Sequence, residues 1–213
     1  MCTPTFIFDL DGVVVDTQKH HEATWKELCR SIGYELTDDN CEDLKGVNRE
    51  MSIEKIINWS NVKLSKSEIE IAINRKTTSF INIISNLNQI SLIDGVHEFI
   101  TDAKREKHPI GLYSSNRNAR YILDKLSMTD LFDAIVDGND VVKSKPDPEG
   151  FLLVSKLTKT APENCVVFED SKAGLQAAKK INMKAIGIGN ENVSGLADQF
   201  YNDFNGISLK LFC

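Results

Sequence analysis

The order of apolar and polar residues divides the chain into a short strand, a long helical stretch and a run of alternating elements. The apolar residues Phe6-Ile7-Phe8 predict a first strand over Thr5 to Asp9. From about Thr17 to Leu87, apolar residues recur at helical spacing. These residues are Trp25, Leu28, Cys29 and Ile32, then Ile53, Ile56 and Ile57, then Ile69, Ile73, Phe80, Ile83 and Ile84. The pattern predicts a four-helix insert after the first strand.

Beyond Asp94-Gly95, strand and helix patterns alternate. The predicted strands are Ile110 to Tyr113, Ala134 to Val136, Val166 to Phe168 and Ala185 to Ile188. The predicted helices are Val96 to Glu106, Ala119 to Lys125, one after Pro148, and Ala173 to Ile181. Strands separated by helices indicate crossover connections and a parallel sheet. We therefore predict an α/β fold with a Rossmann-like core (1–16 and 92–213) and a four-helix domain (17–91) inserted after the first strand. Linkers near Asp16 and Ser91 to Asp94 would allow hinge closure over a substrate.

Two aspartates stand at the end of the first predicted strand. Asp9 and Asp11 stand where the strand meets Gly12. Because residues i and i+2 of a strand point the same way, both carboxylates can face one reacting centre. One can attack phosphorus while the other transfers a proton, which predicts phosphoryl transfer through an aspartyl-phosphate. A solvated turn is the alternative, since Asp and Gly favour turns.

Polar residues follow three later segments that would meet at the same sheet edge. In Ser114-Ser115-Asn116, a hydroxyl and backbone N–H groups can bind phosphate oxygens, although a helix cap is the alternative. Lys145 lies in an extended loop next to Pro146 and can face phosphate charge, or else lie on the surface. Glu169-Asp170 ends a strand, and these carboxylates would repel Asp9 unless a divalent cation lay between them. Oxygen ligands and a phosphate substrate favour Mg²⁺.

Composition and missing motifs narrow the possible functions. The net charge of −6 disfavours nucleic-acid binding. Five cysteines without a CxxC pair predict reduced thiols in a cytoplasmic protein and disfavour a zinc site. The sequence predicts no secretion signal or membrane anchor. A D-x-D-x-D-G calcium loop fails at Val13, and a G-x-x-x-x-G-K-[ST] nucleotide-binding loop does not occur.

Four of these segments, in this order, resemble the haloacid dehalogenase superfamily. They are Asp9-Leu10-Asp11-Gly12-Val13, Ser114-Ser115-Asn116, Lys145-Pro146 and Glu169-Asp170-Ser171. The resemblance implies that Asp9 is the nucleophile and Asp11 the general acid and base, under a helical cap. It implies that Ser114 and Lys145 bind the transferring phosphoryl group. The implied Mg²⁺ ligands are the Asp9 carboxylate, the Asp11 backbone carbonyl, Glu169 and Asp170.

Residues of the predicted cap extend the resemblance to the β-phosphoglucomutase branch of this superfamily. The matching segments are Asp16-Thr17, His21, Trp25, Leu44-Lys45-Gly46-Val47, Arg49, Ser52 and Lys76, with Asn118 and Ser144-Lys145-Pro146 in the core. The implied substrate-binding residues are Thr17, His21, Trp25, Lys45, Gly46, Arg49, Ser52, Lys76, Ser115, Asn116, Arg117 and Asn118. Arg49 and Arg117 suit the phosphate that is not being transferred, because a guanidinium can bind two phosphate oxygens at once. His21 and Lys76 would couple substrate binding to movement of Asp11.

Some positions have a second interpretation or depart from the branch. Taken singly, His21, Arg49 and Lys76 are compatible with a solvated surface, and Trp25 with core packing. The chain carries Asn116-Arg117 where the branch has serine and lysine, which keeps the cation but can shift the phosphate. Glu149 stands where aspartate is expected.

The resemblance implies an enzyme that interconverts β-D-glucose 1-phosphate and β-D-glucose 6-phosphate through a glucose 1,6-bisphosphate. We expect a cytoplasmic monomer that binds a small phosphorylated sugar and Mg²⁺, without a nucleic-acid or membrane partner. The nearest alternative is a sugar-phosphate or small-ester phosphatase of the same fold. This alternative is disfavoured by Arg49, Arg117 and Lys76, because a hydrolase needs to bind only one phosphate group. A sugar-phosphate sensor without activity is a further alternative, disfavoured by the retained acids and Lys145.

Overall fold

A parallel β-sheet forms the centre of the protein. The computed structural model describes residues 3–87 and 91–212. Within them, six strands pair in the order β3-β2-β1-β4-β5-β6, and every neighbouring pair is parallel. The strands are β1 Thr5–Phe8, β2 Ile110–Tyr113, β3 Ala134–Val136, β4 Cys165–Glu169, β5 Lys184–Ile188 and β6 Gln199–Tyr201. The predicted α/β class with a parallel sheet is confirmed.

The helices that connect the strands cover both faces of the sheet. They are α5 Val96–Arg105, α6 Ala119–Lys125, α7 Glu149–Leu157 and α8 Lys172–Lys179. Phe6 and Phe8 of β1 pack with residues of α5 and α6, while Ile7 packs with residues of α7 and α8. This alternation follows from the two-residue period of a strand. Because both faces are covered, β1 is apolar at every position except Thr5, as is typical of parallel sheets.

Four helices inserted between β1 and α5 form the cap, as predicted. They are α1 Gln18–Ser31, α2 Asp38–Leu44, α3 Arg49–Ser60 and α4 Lys66–Ile84. The side chains of Thr37, Asn48 and Ser65 accept backbone hydrogen bonds at the starts of α2, α3 and α4, which fixes where these helices begin. The cap has its own apolar core around Trp25 and Ile56. The boundaries 1–16, 17–91 and 92–213 stay a prediction, and residues 88–90 lie outside the described chain.

The structure differs from the sequence prediction in one additional strand and in the end of β1. β1 ends at Phe8 rather than Asp9, so Asp9 is the first residue of the loop. The sequence pattern does not predict β6, whose three residues pair with β5 at the sheet edge and are half-buried. Three half-buried residues are too few for a strand alternation to emerge.

Two sequence predictions concern the chain as a whole. Cys29, Cys41 and Cys165 are free thiols, while Cys2 and Cys213 lie outside the described residues. Among the helices of the described chain, none combines the length and apolar character that a bilayer crossing needs.

Candidate active site

The predicted site residues converge at the carboxyl ends of the central strands. Asp9 follows β1, Ser114 follows β2, and Glu169 ends β4. β1 lies between β2 and β4, so these side chains reach one edge of the sheet. Lys145 comes from the loop between β3 and α7. All four side chains are buried.

Lys145 is the buried cation at the centre of this cluster. Its Nζ lies 2.5 Å from Asp9 Oδ1, donates to Glu169 Oε1 and lies 3.3 Å from the Tyr113 carbonyl oxygen. Burial lowers the pKa of Lys145, but the Asp9 and Glu169 carboxylates outweigh it and raise the pKa above its usual value. The ammonium is therefore charged and oriented toward Asp9.

Three carboxylates at this edge fit a divalent cation. One oxygen each from Asp9, Glu169 and Asp170 can be chosen so that all lie within 4.8 Å of one another. Asp170 Oδ1 is buried without a hydrogen-bond partner. Burial raises the pKa of Asp9 to about 8 and raises the pKa of Asp170 well above its usual value. A single lysine does not offset three buried carboxylates, so the donor set suits a cation that prefers oxygen ligands, such as Mg²⁺.

The Asp11 carboxylate faces the cap rather than this cluster. Its Oδ1 accepts from the Thr17 hydroxyl and its Oδ2 lies 3.2 Å from Asn116 Nδ2. His21 Nε2 lies 3.4 Å from Oδ1. Burial works to raise the pKa of Asp11, but His21, Thr17 and Asn116 together hold it below its usual value. Burial and the nearby Lys76 in turn lower the pKa of His21, against the opposing effect of the Asp11 carboxylate.

His21 and Lys76 lie inside the pocket rather than on the surface. Lys76 Nζ is 3.0 Å from His21 Nδ1 and lies over the rings of Trp25 and Phe80, 4.8 and 4.7 Å from their centroids. Burial lowers the pKa of Lys76 to about 7. Trp25 packs in the cap core and also lines the pocket, so its role as a substrate contact stays a prediction.

The pocket lies between cap and core. The predicted residues that line it are Asp9, Asp11, His21, Trp25, Lys45, Gly46, Arg49, Ser52, Lys76, Ser114, Ser115, Asn116, Arg117 and Asn118. Thr17 and Lys145 lie behind this lining and touch Asp11 and Asp9. The structure thus brings together residues that the sequence placed on six separate segments.

The two arginines share one cap carboxylate. Arg117 Nη2 lies 2.9 Å from Glu50 Oε1, and Arg49 Nε lies 3.3 Å from the same oxygen. Glu50 was not singled out from the sequence, although it directly follows Arg49. Its anionic group lies where the two guanidinium groups converge.

Further contacts hold the cap against the core. Ser115 Oγ donates to the Gly46 carbonyl oxygen at 2.7 Å. Gly46 has φ of 74°, and a Cβ there would lie 2.2 Å from Ser171 Oγ. Asn190 and Asn192 each donate to Glu42 of α2 at 2.7 Å. These residue pairs are far apart in sequence, and of their members only Gly46, Ser115 and Ser171 belong to segments named in the sequence analysis.

The capped α/β fold and the buried acid–lysine cluster together define a class. Residues 6–188 match the haloacid dehalogenase-like hydrolase family, and the chain belongs to that family. The chain is 36% identical to β-phosphoglucomutase of Bacillus subtilis strain 168 over 207 residues, which cover 96% of this chain and 92% of that protein. The crystal structure of β-phosphoglucomutase from Clostridium difficile superposes with a TM-score of 0.92 at 31% identity, over 99% of this chain and 95% of that one. Both resemblances inferred from the sequence are confirmed.

Relatives with a hydrolase name are also similar. A fructose-1-phosphate phosphatase of Escherichia coli strain K12 is 28% identical over 184 residues, which cover 85% of this chain and 94% of that protein. The comparisons therefore support a family enzyme of the phosphomutase or phosphatase kind.

Proposed function

We propose that the protein is a β-phosphoglucomutase, which interconverts β-D-glucose 1-phosphate and β-D-glucose 6-phosphate. The observation that carries this proposal is a single pocket with two cationic groups of residues. Lys145 lies beside Asp9 in the core, while Arg49 of the cap and Arg117 of the loop after β2 line the same pocket. A sugar bisphosphate intermediate needs both of its phosphates bound, whereas a monophosphate ester needs one.

In the proposed mechanism, Asp9 carries the phosphoryl group. The P–O bond to the Asp9 carboxylate breaks as the free sugar hydroxyl attacks phosphorus, and Asp11 takes the hydroxyl proton. The bisphosphate then reorients in the pocket. The Asp9 carboxylate attacks the second phosphate, and Asp11 returns the proton to the departing sugar oxygen. The enzyme ends phosphorylated, as it began.

Lys145 and Ser114 supply the fixed contacts to the transferring group. The Lys145 ammonium is held by Asp9 and Glu169 and needs no reorientation during the reaction. The Ser114 hydroxyl accepts from the Asn116 N–H at 3.1 Å, which leaves its own hydrogen free for a phosphate oxygen. Mg²⁺ bound by Asp9, the Asp11 carbonyl, Glu169 and Asp170 would screen phosphate charge.

His21 and Lys76 would report substrate binding to Asp11. His21 lies between Lys76 and Asp11, contacting each through a different ring nitrogen. Because burial lowers the pKa of Lys76 to about 7, an anionic substrate in the pocket would favour its charged form. Protonation of Lys76 would change its contact with His21 Nδ1, and through the His21 ring it would alter the position of Asp11.

Phosphomutase activity also requires that water be kept from the phosphorylated Asp9. An acyl phosphate hydrolyses unless its surroundings are dry and the sugar hydroxyl is well positioned. The contacts of Gly46 with Ser115, and of Glu42 with Asn190 and Asn192, hold the cap closed over the pocket. We propose that this closed arrangement is the one in which transfer occurs.

A coupled assay distinguishes a phosphomutase from a phosphatase of the same fold. The phosphatase is the second candidate function, because some relatives carry that name. The substrate is β-glucose 1-phosphate with a catalytic amount of β-glucose 1,6-bisphosphate. We expect glucose 6-phosphate to accumulate without inorganic phosphate, and the reverse result would contradict the proposal.

The variant Arg49→Leu should raise KM in this assay, since the second phosphate loses a bidentate partner. Arg105→Leu is the control, because Arg105 is exposed and, within residues 3–87 and 91–212, its only ion pair is with Asp102.

The close approach of Gly46 to Ser171 gives a test of cap closure. Gly46→Ala places a Cβ 2.2 Å from Ser171 Oγ, so the cap has to move away from the core. A displacement of about 1 Å can lower turnover about 10²-fold, and we expect a loss of that order in kcat/KM.

Gly33→Ala is the matched control for this substitution. Gly33 has φ of 76°, close to that of Gly46, but a Cβ there meets no atom within 4 Å. In both variants alanine must adopt a left-handed backbone conformation, which should lower the free energy of unfolding by about 1–2 kcal/mol. Urea unfolding of each variant measures this loss. Equal losses of kcat/KM in the two variants would show that backbone strain, not the clash with Ser171, is responsible.

A further inference from the structure

Gln18 contacts two of the oxygen-bearing groups of the proposed metal site. It is the first residue of α1 and therefore belongs to the cap. Its Nε2 lies 3.0 Å from the Asp11 carbonyl oxygen and 3.0 Å from Asp170 Oδ2. One amide nitrogen thus donates to both groups, which are 159 residues apart in the sequence. No metal ligand was predicted at position 18.

The backbone leaves room for this contact. Gly12 has φ of 88°, and a Cβ there would lie 2.3 Å from Asp170 Oδ2 and 2.9 Å from Gln18 Cγ. Any side chain at position 12 would therefore occupy the space through which Gln18 reaches Asp170. The absence of a side chain is required by this packing as well as by the positive φ.

The contact also divides the two oxygens of Asp170. Gln18 satisfies Oδ2, whereas Oδ1 is buried without a partner. The backbone carbonyl of Asp170 is fixed separately by Asn190 Nδ2 at 2.8 Å. Gln18 therefore holds the carboxylate through Oδ2, and Oδ1 is left available to coordinate a metal ion. An orphaned buried oxygen costs free energy unless a ligand completes it.

The chemical type of residue 18 suits this task. Asp9, Glu169 and Asp170 already place three carboxylates close to one another at this site. A carboxylate at position 18 would add repulsion, and an ammonium would compete with the cation for the same oxygens. A neutral amide donates hydrogen bonds and leaves the negative charge of the cluster for the metal.

We infer that Gln18 is a positioning residue for a divalent cation. It orients the Asp11 carbonyl and the Asp170 carboxylate so that Asp170 Oδ1 and the Asp11 carbonyl can serve one ion. Groups that hold metal ligands from behind contribute strongly to metal affinity, and their removal typically weakens binding about 10–100-fold. This inference rests on the metal site of the proposed function.

Titration of the full chain with Mg²⁺ alone tests the inference by isothermal calorimetry. Gln18→Leu keeps the approximate volume of the side chain and removes its hydrogen bonds. We expect the Kd for Mg²⁺ to rise about tenfold or more. Gln176→Leu is the matched control, because Gln176 lies exposed on α8 and the same chemical change there should leave the Kd unaltered.

The outcomes separate this inference from the proposed function. An unchanged or lower Kd in Gln18→Leu, with Mg²⁺ binding intact in the wild-type protein, overturns the role of Gln18 alone. A wild-type protein that binds no Mg²⁺ overturns the metal site and this inference together. Thermal unfolding without Mg²⁺ checks that the variant is folded. If Gln18→Leu does not fold, Gln18→Ala replaces it, with the same rise in Kd expected.

Discussion

Asp9→Asn is expected to abolish turnover of β-glucose 1-phosphate. Asparagine has nearly the shape of aspartate, but its amide does not attack phosphorus, so no aspartyl-phosphate forms. Loss of a nucleophile costs many orders of magnitude, and we expect kcat to fall by at least about 10⁴-fold. The protein should stay folded, because Asp9 is buried and burial opposes its charge.

Covalent labelling makes this test direct. With Mg²⁺ and radiolabelled acetyl phosphate, the wild-type carboxylate of Asp9 should displace acetate and retain the phosphoryl group through an acid quench. Asp9→Asn should retain none. Asp124→Asn is the control, since Asp124 is exposed on α6, and it should label like the wild type. Turnover of Asp9→Asn within tenfold of the wild type would remove Asp9 from the mechanism.

Lys145→Met should damage both stability and activity. The substitution keeps an unbranched chain but leaves Asp9 and Glu169, both buried, without their cation. Removing one partner of a buried ion pair typically costs about 3–5 kcal/mol, because the remaining charge is uncompensated. We expect a loss of that size in the free energy of unfolding, measured in urea without Mg²⁺, together with loss of turnover.

Two further variants isolate the cause of this effect. Lys143→Met changes an exposed lysine of the same loop, whose Nζ lies 3.9 Å from Asp147 Oδ2. This substitution should alter the free energy of unfolding by no more than about 0.5 kcal/mol. Glu169→Gln combined with Lys145→Met removes one of the uncompensated carboxylates. The double variant should recover part of the lost stability but none of the activity. A double variant less stable than Lys145→Met would show that unpaired charge is not the cause.

The sequence was most informative where a local pattern carried the information. The apolar run Phe6-Ile7-Phe8 predicts β1, and it also places Asp9 at the strand end that faces the site. The residues after the later strands were informative for the same reason, because parallel strands bring their carboxyl ends to one edge. Strand β6 was missed because three half-buried edge residues form no recognisable pattern.

Residues whose importance depends on distant partners were less visible. Gln18 is an ordinary polar residue at a helix start until Asp170, 152 positions away, is placed 3.0 Å from its amide. Glu50 stands beside Arg49 in the sequence, yet its contact with Arg117 joins the cap to the core. Neither contact has a local signature, because neither depends on helix or strand spacing.

The sequence by itself determined the elements of the fold other than β6, the family, and the acids and lysine at the centre of the site. These depend on apolar periodicity and on short segments at strand ends, both of which are local properties of the chain. Only the tertiary structure decided which oxygen of Asp170 is left without a partner, which carboxylate the two arginines share, and how closely Gly46 meets Ser171. Those contacts arise when the cap packs against the core, and packing depends on side chains brought together from separate parts of the chain.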